Sequence, residues 1–318
     1  MKAITYTRYG KPEVLKLNNI EKPEPKDNEV LIKIKATAIN SGDVRLRKAD
    51  PFAVRFFFGL TKPKINILGV VFSGEVEQIG KDVKRFNIGD QVFGSTDMSL
   101  GTYAEYKCLK ENAPFTLKPG NMMHTEAAVI PFGATTALHF MKKVNIKQGD
   151  KVLIYGASGA VGSAAVQLAK YYGAYVTAVC SKANFELVRS IGADVVIDYT
   201  KEDFTKNNKY YDVIMDTVNV LSVRKVLKCL NKNGSLILSA AMMLEMLQGA
   251  WASMIGSHKV IFGVALATIE DMIFLKELIE ANKLKAVIDK TYSLEQIPEA
   301  HAYAEKGHKK GNLAIAIF

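Results

Sequence analysis

Cysteine is scarce in this chain of 318 residues: Cys108, Cys180 and Cys229 are its three, far apart. Such dispersal excludes a disulfide framework and a Cys-x-x-Cys pair, and it suits a reducing compartment. Histidine is nearly as rare. His301 and His308 stand seven apart, His124 and His139 further, and His258 is isolated, so no pair has the spacing of metal ligands. A long hydrophobic run is missing too. The most apolar tract, around Ala240 to Ile255, is broken by Glu245, Gln248 and Gly249, so no membrane span is expected. The opening residues, MKAITYTRYG, lack the apolar core of a signal peptide, and the expectation is a soluble, cytoplasmic protein. Acid is in deficit, with 42 Lys and Arg against 32 Asp and Glu, a net charge of +10. That balance raises nucleic acid as a partner. The lysines are scattered, however, and Lys33 and Lys35 alternate with Ile32 and Ile34 as on the wet face of a strand. The pairs Lys142-Lys143 and Lys309-Lys310 are too short for a basic tail, and no specific nucleic-acid partner is expected.

What the chain does have is a glycine run, KVLIYGASGAVGSAAVQLAKYYGAYVTAVCS, over residues 151–181. A β-branched stretch, Val152 to Tyr155, meets Gly156, Gly159 and Gly162; a small-residue helix and a second apolar strand, Tyr175 to Cys180, follow. This is the pattern of a βαβ unit that holds a pyrophosphate. Glycine lets the backbone turn tightly and approach phosphate oxygens, and the helix behind it aims N–H groups at the anion. The spacing is Gly-x-x-Gly-x-x-Gly, not the commoner Gly-x-Gly-x-x-Gly, so the flanking strands carry the signal.

At 318 residues and 48% hydrophobic, the chain suggests two domains with a sizeable core. Residues 1 to about 120 read as short strands: Glu29 to Ala36 alternates, Phe72 to Ile79 is a strand, and Gly89-Asp90 turns into Gln91 to Phe93, with Pro23, Pro25, Pro51 and Pro63 as punctuation. From about 122 to 265 strands and helices alternate, as in a doubly wound parallel sheet. Its expected strands are Val152–Tyr155, Tyr175–Cys180, Val195–Asp198, Val213–Asp216, Ser235–Ser239 and Lys259–Val264. Helices are expected at Ala160–Tyr171, Asn184–Ser190, Ser222–Leu230 and Ile269–Ala281. The tail, with strands Val287–Tyr292 and Leu313–Ile317 around a helix near Leu294–Glu305, has no place in a complete six-stranded sheet and is expected to return to the first domain.

The stretches KATAINSGDVRLRKA (35–49), ILGVVFSGEVEQIGKDVKRFNIGDQVFG (67–94), GTYAEY (101–106), PFGATTALHF (131–140), ELVRSIGADVVIDY (186–199), YDVIMDTV (211–218) and IDKTYSLEQIPEAHAYAEKGHKKGNLAIAI (288–317), with the glycine run, span nearly the whole chain. In this order they resemble the medium-chain dehydrogenase/reductase superfamily, in its zinc-free quinone oxidoreductase branch, related to zeta-crystallin. The resemblance implies an α/β protein: a GroES-like, mostly-β catalytic domain (1–121 and 266–318) and a doubly wound parallel-sheet Rossmann domain (122–265), with the active site in the cleft. Zinc-dependent relatives place a cysteine where Asn40 stands and Gly-His-Glu where Gly69-Val70-Val71 stands. Their third ligand, near Pro131–Gly133, is missing too, and structural zinc in that family takes four clustered cysteines. No metal is expected.

The cofactor expected is NADPH. An NAD site wants an acid about 20 residues past the glycines, but the second strand ends in Cys180-Ser181-Lys182, with the next acid at Glu186. A hydroxyl and an ammonium suit a 2′-phosphate where a carboxylate repels it. Relatives also contact that phosphate through the tyrosine matching Tyr199, while Ala183 withholds the further basic residue the family often has. The cofactor set is therefore Thr136, Gly156, Ala157, Ser158, Gly159, Ala160, Val161, Gly162, Ser181, Lys182 and Tyr199. Lys182 also reads as an ordinary surface lysine, and Thr136 as a cap of a helix 136–142.

For chemistry, Asn40 and Asp43 form the family's Asn-x-x-Asp. The Asn40 amide suits an oxyanion; Asp43 orients Asn40 or an arginine, or caps the following turn. Arg45 and Arg47 are weaker candidates. The aromatic run PFAVRFFFGL (51–60) reads either as the wall of a pocket for a flat substrate or as core. The tract Met242 to Ile255 reads as a buried or dimer-facing helix. The expected activity is hydride transfer from NADPH to a small hydrophobic quinone or α,β-unsaturated carbonyl, in a homodimer. An enoyl-thioester reductase and a non-catalytic NADPH- or nucleic-acid-binding protein are the alternatives.

Overall fold

The computed structural model describes residues 1–239 and 258–318, so the tract Met242 to Ile255 lies outside the described residues. The chain forms two compact units, one of residues 1–132, 267–281 and 286–318, the other of residues 133–266 and 282–285. The sequence puts the divisions at 121/122 and 265/266. The first shifts because a single helix, His124–Met141, runs through it with Pro131 inside. Apolar periodicity does not mark where one helix changes its packing partners.

In the first unit β1 (Lys2–Thr5) pairs with β2 (Lys16–Asn19). A larger sheet runs in the order β14 (Ile288–Ser293), β15 (Asn312–Ala316), β3 (Glu29–Ile39), β4 (Val71–Ile79), β5 (Gln91–Ser95), β7 (Phe115–Leu117), with β6 (Tyr106–Lys110) also on β3. Its centre is β3, Glu29–Ile39, whose residues from Val30 to Ile39 are mostly buried. It pairs antiparallel with β4 (Val71–Ile79) and with β6 (Tyr106–Lys110). β5 (Gln91–Ser95) and β7 (Phe115–Leu117) extend the sheet beyond β4. The chain's tail supplies the other edge: β15, Asn312–Ala316, pairs antiparallel with β3 and parallel with β14, Ile288–Ser293. The last strands therefore complete the first unit, as the pattern of the tail predicts. Phe72, Phe86 and Phe115 lie in its core, with the Phe86 and Phe115 rings stacked at 4.5 Å. Each buried ring contributes about 1.5–3 kcal/mol.

The second unit holds a six-stranded parallel sheet in the order β10-β9-β8-β11-β12-β13. These strands are Val195–Asp198, Tyr175–Cys180, Lys151–Tyr155, Tyr211–Asp216, Leu230–Leu238 and Lys259–Phe262. The order reverses between β8 and β11, and such a switch point is where open α/β sheets bind ligands, outside the carboxyl ends of the strands. Two boundaries differ from expectation. The helix after β11 stops at Leu227, and β12 begins at Leu230. The expected strand begins only at Ser235; the amide of Asn231 donates to Asp212 at 2.7 Å and ties the start of β12 to its neighbour. The helix His124–Met141 passes close to the helix Ala160–Tyr171, where a Cβ on Gly133 would sit 2.4 Å from the Ala160 carbonyl oxygen.

Candidate functional site

The glycine turn follows β8. Gly156 has φ of +79°, and a Cβ there would meet the Thr217 hydroxyl at 2.6 Å; a Cβ on Gly162 would stand 2.1 Å from the Gly156 carbonyl oxygen. Both positions need glycine. Gly159 is the N-cap of the helix Ala160–Tyr171, and no side chain caps it. The N–H groups of Gly156 and Ala157 both donate to Val179, and that of Gly159 to Gly156. Among the described residues, the N–H groups of Ser158, Ala160, Val161 and Gly162 have no such acceptor. Gly156 and Ala157 thus shape the turn, and the others are the donors it presents to an anion. A pyrophosphate fits here because the close approach is built from backbone with no side chain in the way.

At the end of β9 the structure brings together residues the chain order separates. Asn184, buried, donates through Nδ2 to the Ser158 hydroxyl at 2.9 Å and to the Ser181 hydroxyl at 3.4 Å, while its Oδ1 is unpartnered. It ties the glycine turn to the residue after β9. Lys182 is exposed, and Tyr199 is about half exposed with its ring 6.3 Å from that of Tyr155. An acid is present after all: Asp198 ends β10 opposite Cys180. Its carboxyl is held below the usual range by hydrogen bonds from Thr200, with the Lys201 and Lys182 charges adding. The Lys182 charge therefore acts on Asp198.

The loop after β11 supports the turn from the other side. Buried Asp216 accepts the backbone N–H groups of Val218, Asn219, Val220 and Leu221 at 2.9–3.1 Å. Thr217 donates to the carbonyls of Tyr155 and Gly156 at 2.9 and 3.3 Å. Thr136 lies inside the helix His124–Met141, so it caps nothing.

In the first unit Asn40 is the N-cap of the helix Ser41–Lys48. Its Oδ1 accepts from the Asp43 N–H at 3.1 Å, and its own N–H donates to Asp43 Oδ2 at 3.1 Å. This capping box occupies the acceptor of the carboxamide and leaves buried Nδ2 without a partner. Asp43 is fully buried, with Oδ1 also accepting from Gly69 at 3.1 Å and the carboxylate from the Tyr103 hydroxyl. Burial pushes its carboxyl up to about 7, against hydrogen bonds from Asn40, Tyr103 and Gly69 that lower it. Asp43 is thus a holder of Asn40 and of the turn at Gly69. Arg45 is exposed, whereas Arg47 is wholly buried and paired with Glu305. The aromatic run is not core: Phe52, Phe56, Phe57 and Leu60 are exposed, Phe57 at 79%.

Of the positions compared with zinc ligands above, Asn40 is a neutral carboxamide, and Val70 and Val71 are apolar. Val71 belongs to a cluster with Ala38, Val129 and Ala314, and Val70 and Phe132 pack on it. No group of three His, Cys, Asp or Glu side chains among the described residues is placed to hold a metal, and a carboxamide whose free end is an N–H₂ does not ligate a cation. The residues present do not fit zinc.

Sequence reasoning missed Asn184, Asp198, Asp216 and Tyr103. Asp198 and Asp216, acids that end apolar strands, carried a local signal.

Comparison with known proteins agrees. The profile described as "Alcohol dehydrogenase GroES-like domain" matches residues 26–119, and "Zinc-binding dehydrogenase" matches residues 191–315. The 2-methylene-furan-3-one reductase of Solanum lycopersicum is 33% identical, over 99% of this chain and 79% of that protein. The NADPH-dependent alkenal/one oxidoreductase of Arabidopsis thaliana is 32% identical, over 99% of this chain and 79% of that protein. The quinone oxidoreductase of Coxiella burnetii superposes with a TM-score of 0.89 at 30% identity, covering 100% of this chain and 99% of that one. The chain belongs to the medium-chain dehydrogenase/reductase superfamily, in its quinone oxidoreductase branch.

Proposed function

We propose that this oxidoreductase is an NADPH-dependent, zinc-independent reductase of a small hydrophobic quinone or α,β-unsaturated carbonyl. The observation that carries the reading is the unpartnered Nδ2 of Asn40, a buried neutral donor whose partner atom Oδ1 is fixed by the capping box. When bound, NADPH supplies a hydride, and the substrate's carbonyl oxygen gains negative charge. Asn40 Nδ2 donates to that oxygen, and because the cap sets its direction beforehand, little reorganisation opposes it. Ser158, Ala160, Val161 and Gly162 hold the pyrophosphate through backbone N–H groups, and Ser181, Lys182 and Tyr199 hold the 2′-phosphate. Asn184 keeps Ser158 and Ser181 in place. Thr136, half-buried on its helix, is assigned to the nicotinamide by the resemblance. A homodimer and a cytoplasmic location belong to the same proposal.

NADPH oxidation measured across quinones, alkenals and enoyl thioesters, with and without a zinc chelator, tests the reading. Turnover of a quinone or alkenal that the chelator leaves unchanged is expected, with less than stoichiometric zinc by elemental analysis. No turnover of any of these, or a chelator-sensitive rate, overturns it.

A further inference from the structure

A second polar cluster lies beneath Asn40, outside the roles assigned above. The Tyr103 hydroxyl stands 3.2 Å from His301 Nε2, and the Asp43 carboxylate lies near enough to interact with it. The Tyr103 and His301 rings meet edge to face at 5.7 Å. All three residues are wholly buried, and 198 positions separate Tyr103 from His301. His301 comes from the helix Ile297–Glu305, which packs on the helix Ser41–Lys48. Buried polar groups are kept only where partners satisfy them, so the direction of each hydrogen bond can be worked out.

Asp43 already accepts two backbone N–H groups, from Asn40 and Gly69. Above about pH 7, where the Asp43 carboxylate is ionised and acceptor only, Tyr103 is the donor between the two. The Tyr103 oxygen is then left to accept, and His301 Nε2 must carry the hydrogen. His301 Nδ1 becomes a bare acceptor, and it is the ring nitrogen without a partner. Burial, with the Arg47 charge nearby, pushes His301 down to about 3, so the ring is neutral. The other charged and titratable groups around the cluster are consistent with this direction. Arg47 pairs with Glu305 and feels Glu13 and Tyr103, and Tyr6, raised mainly by burial, feels Tyr9 and Asp43.

We propose that Tyr103 and His301 are positioning residues: the chain from His301 Nε2–H through the Tyr103 hydroxyl to Asp43 keeps the capping box closed and thereby fixes the direction of the Asn40 Nδ2 donor. Its catalytic consequence rests on the reading of Asn40 given above. If Tyr103 ceases to donate, the buried carboxylate loses one of its three donors and takes up a proton more readily. A protonated carboxyl holds the Asn40 and Gly69 N–H groups less tightly.

Two measurements test this. ¹⁵N NMR of His301 in the wild-type protein needs no substrate: the neutral Nε2–H tautomer is expected, and Nδ1–H or an imidazolium at pH 7.5 overturns the proposal. Kinetics with a quinone or alkenal supply the second. Tyr103→Phe is expected to lower kcat roughly tenfold, as loss of one hydrogen bond to a charged group allows, with KM for NADPH unchanged and the acid limb of the pH profile moved upward. His301→Leu should match it, and His301→Gln, which retains an N–H donor, should recover most of the rate. In an Asn40→Ala background Tyr103→Phe should cost nothing further. An equal loss in both backgrounds, or a loss expressed in NADPH affinity, overturns the proposal. Should the wild-type protein reduce none of these substrates, the functional reading falls, and the tautomer still decides whether the hydrogen-bond chain exists. If Tyr103→Phe does not fold, the His301 pair and the tautomer decide.

Discussion

Replacing Asn40 separates its two jobs. Asn40→Ala removes both the cap acceptor, Oδ1, and the free donor, Nδ2. Loss of an N-cap costs about 1 kcal/mol of stability, and leaving the Asp43 N–H unpartnered in a buried place sets the upper end of the cost at about 2–3 kcal/mol. The catalytic loss is worked separately. One preorganised oxyanion donor is worth about 2.7–4 kcal/mol in hydrolases, where charge collects on a single oxygen. A reduced quinone or enolate spreads its charge, so roughly 1–2 kcal/mol is expected, or about 5- to 30-fold in kcat. Asn40→Asp keeps an acceptor for the Asp43 N–H and preserves the cap. It also removes the donor and adds like charge beside both Asp43 and the developing oxyanion, so its kcat should fall below that of Asn40→Ala although its helix is better capped. Stopped-flow NADPH oxidation with a quinone, alongside urea denaturation of each variant, checks both effects. NADPH affinity, read by fluorescence titration, should not change. If both variants turn over at the parental rate, Asn40 is a helix cap and nothing more, and the reading of Nδ2 as an oxyanion donor is wrong.

Lys182→Ala should weaken NADPH binding by about 1–2 kcal/mol and leave NADH nearly unaffected, while Asp198→Asn, which removes the facing carboxylate, should strengthen NADPH; equal dissociation constants for the two cofactors in the parent protein would refute this. Asp43, raised from 3.8 to about 7 chiefly by burial, still holds its proton in the folded state where the unfolded chain has released it. Its contribution to stability is therefore complete below about pH 4 and lost as pH rises towards 7. Urea midpoints measured from pH 4 to 8 should show that fall, and a folded Asp43→Asn variant should flatten it. Gly162→Ala places a Cβ 2.1 Å from the Gly156 carbonyl oxygen and should cost about 1–3 kcal/mol by overpacking, together with NADPH binding, as read by thermal melts with and without cofactor.

Much of the fold was legible in the sequence because its signals are local. The runs Val152–Tyr155 and Tyr175–Cys180 are mostly buried strands, and Gly162 is demanded by the Gly156 carbonyl six positions before it. Gly156 has a positive φ of its own, although the Thr217 and Val218 side chains that crowd it come from far along the chain. The six strands of the parallel sheet follow in chain order from such runs, and the tail's two strands had to go elsewhere once that sheet was complete. Asn40 and Asp43, three apart, cap one helix, and that also is a short-range fact. Tertiary structure decided the rest. Asp198 lies beside Lys182 because β10 lies on β9, so an acid absent from the end of one strand is supplied by the next. Asn184 reaches Ser158 across the same sheet end. Phe56 and Phe57, which by composition read equally as pocket wall or as core, stand exposed, since hydrophobicity tells what a side chain prefers and not whether a neighbour arrives to cover it. His301 on Tyr103 depends on the last helix docking beneath the first. A hydrogen bond is specified by distance and direction in space, and the chain records only order; partners far apart in that order become visible when folding brings them within about 3 Å.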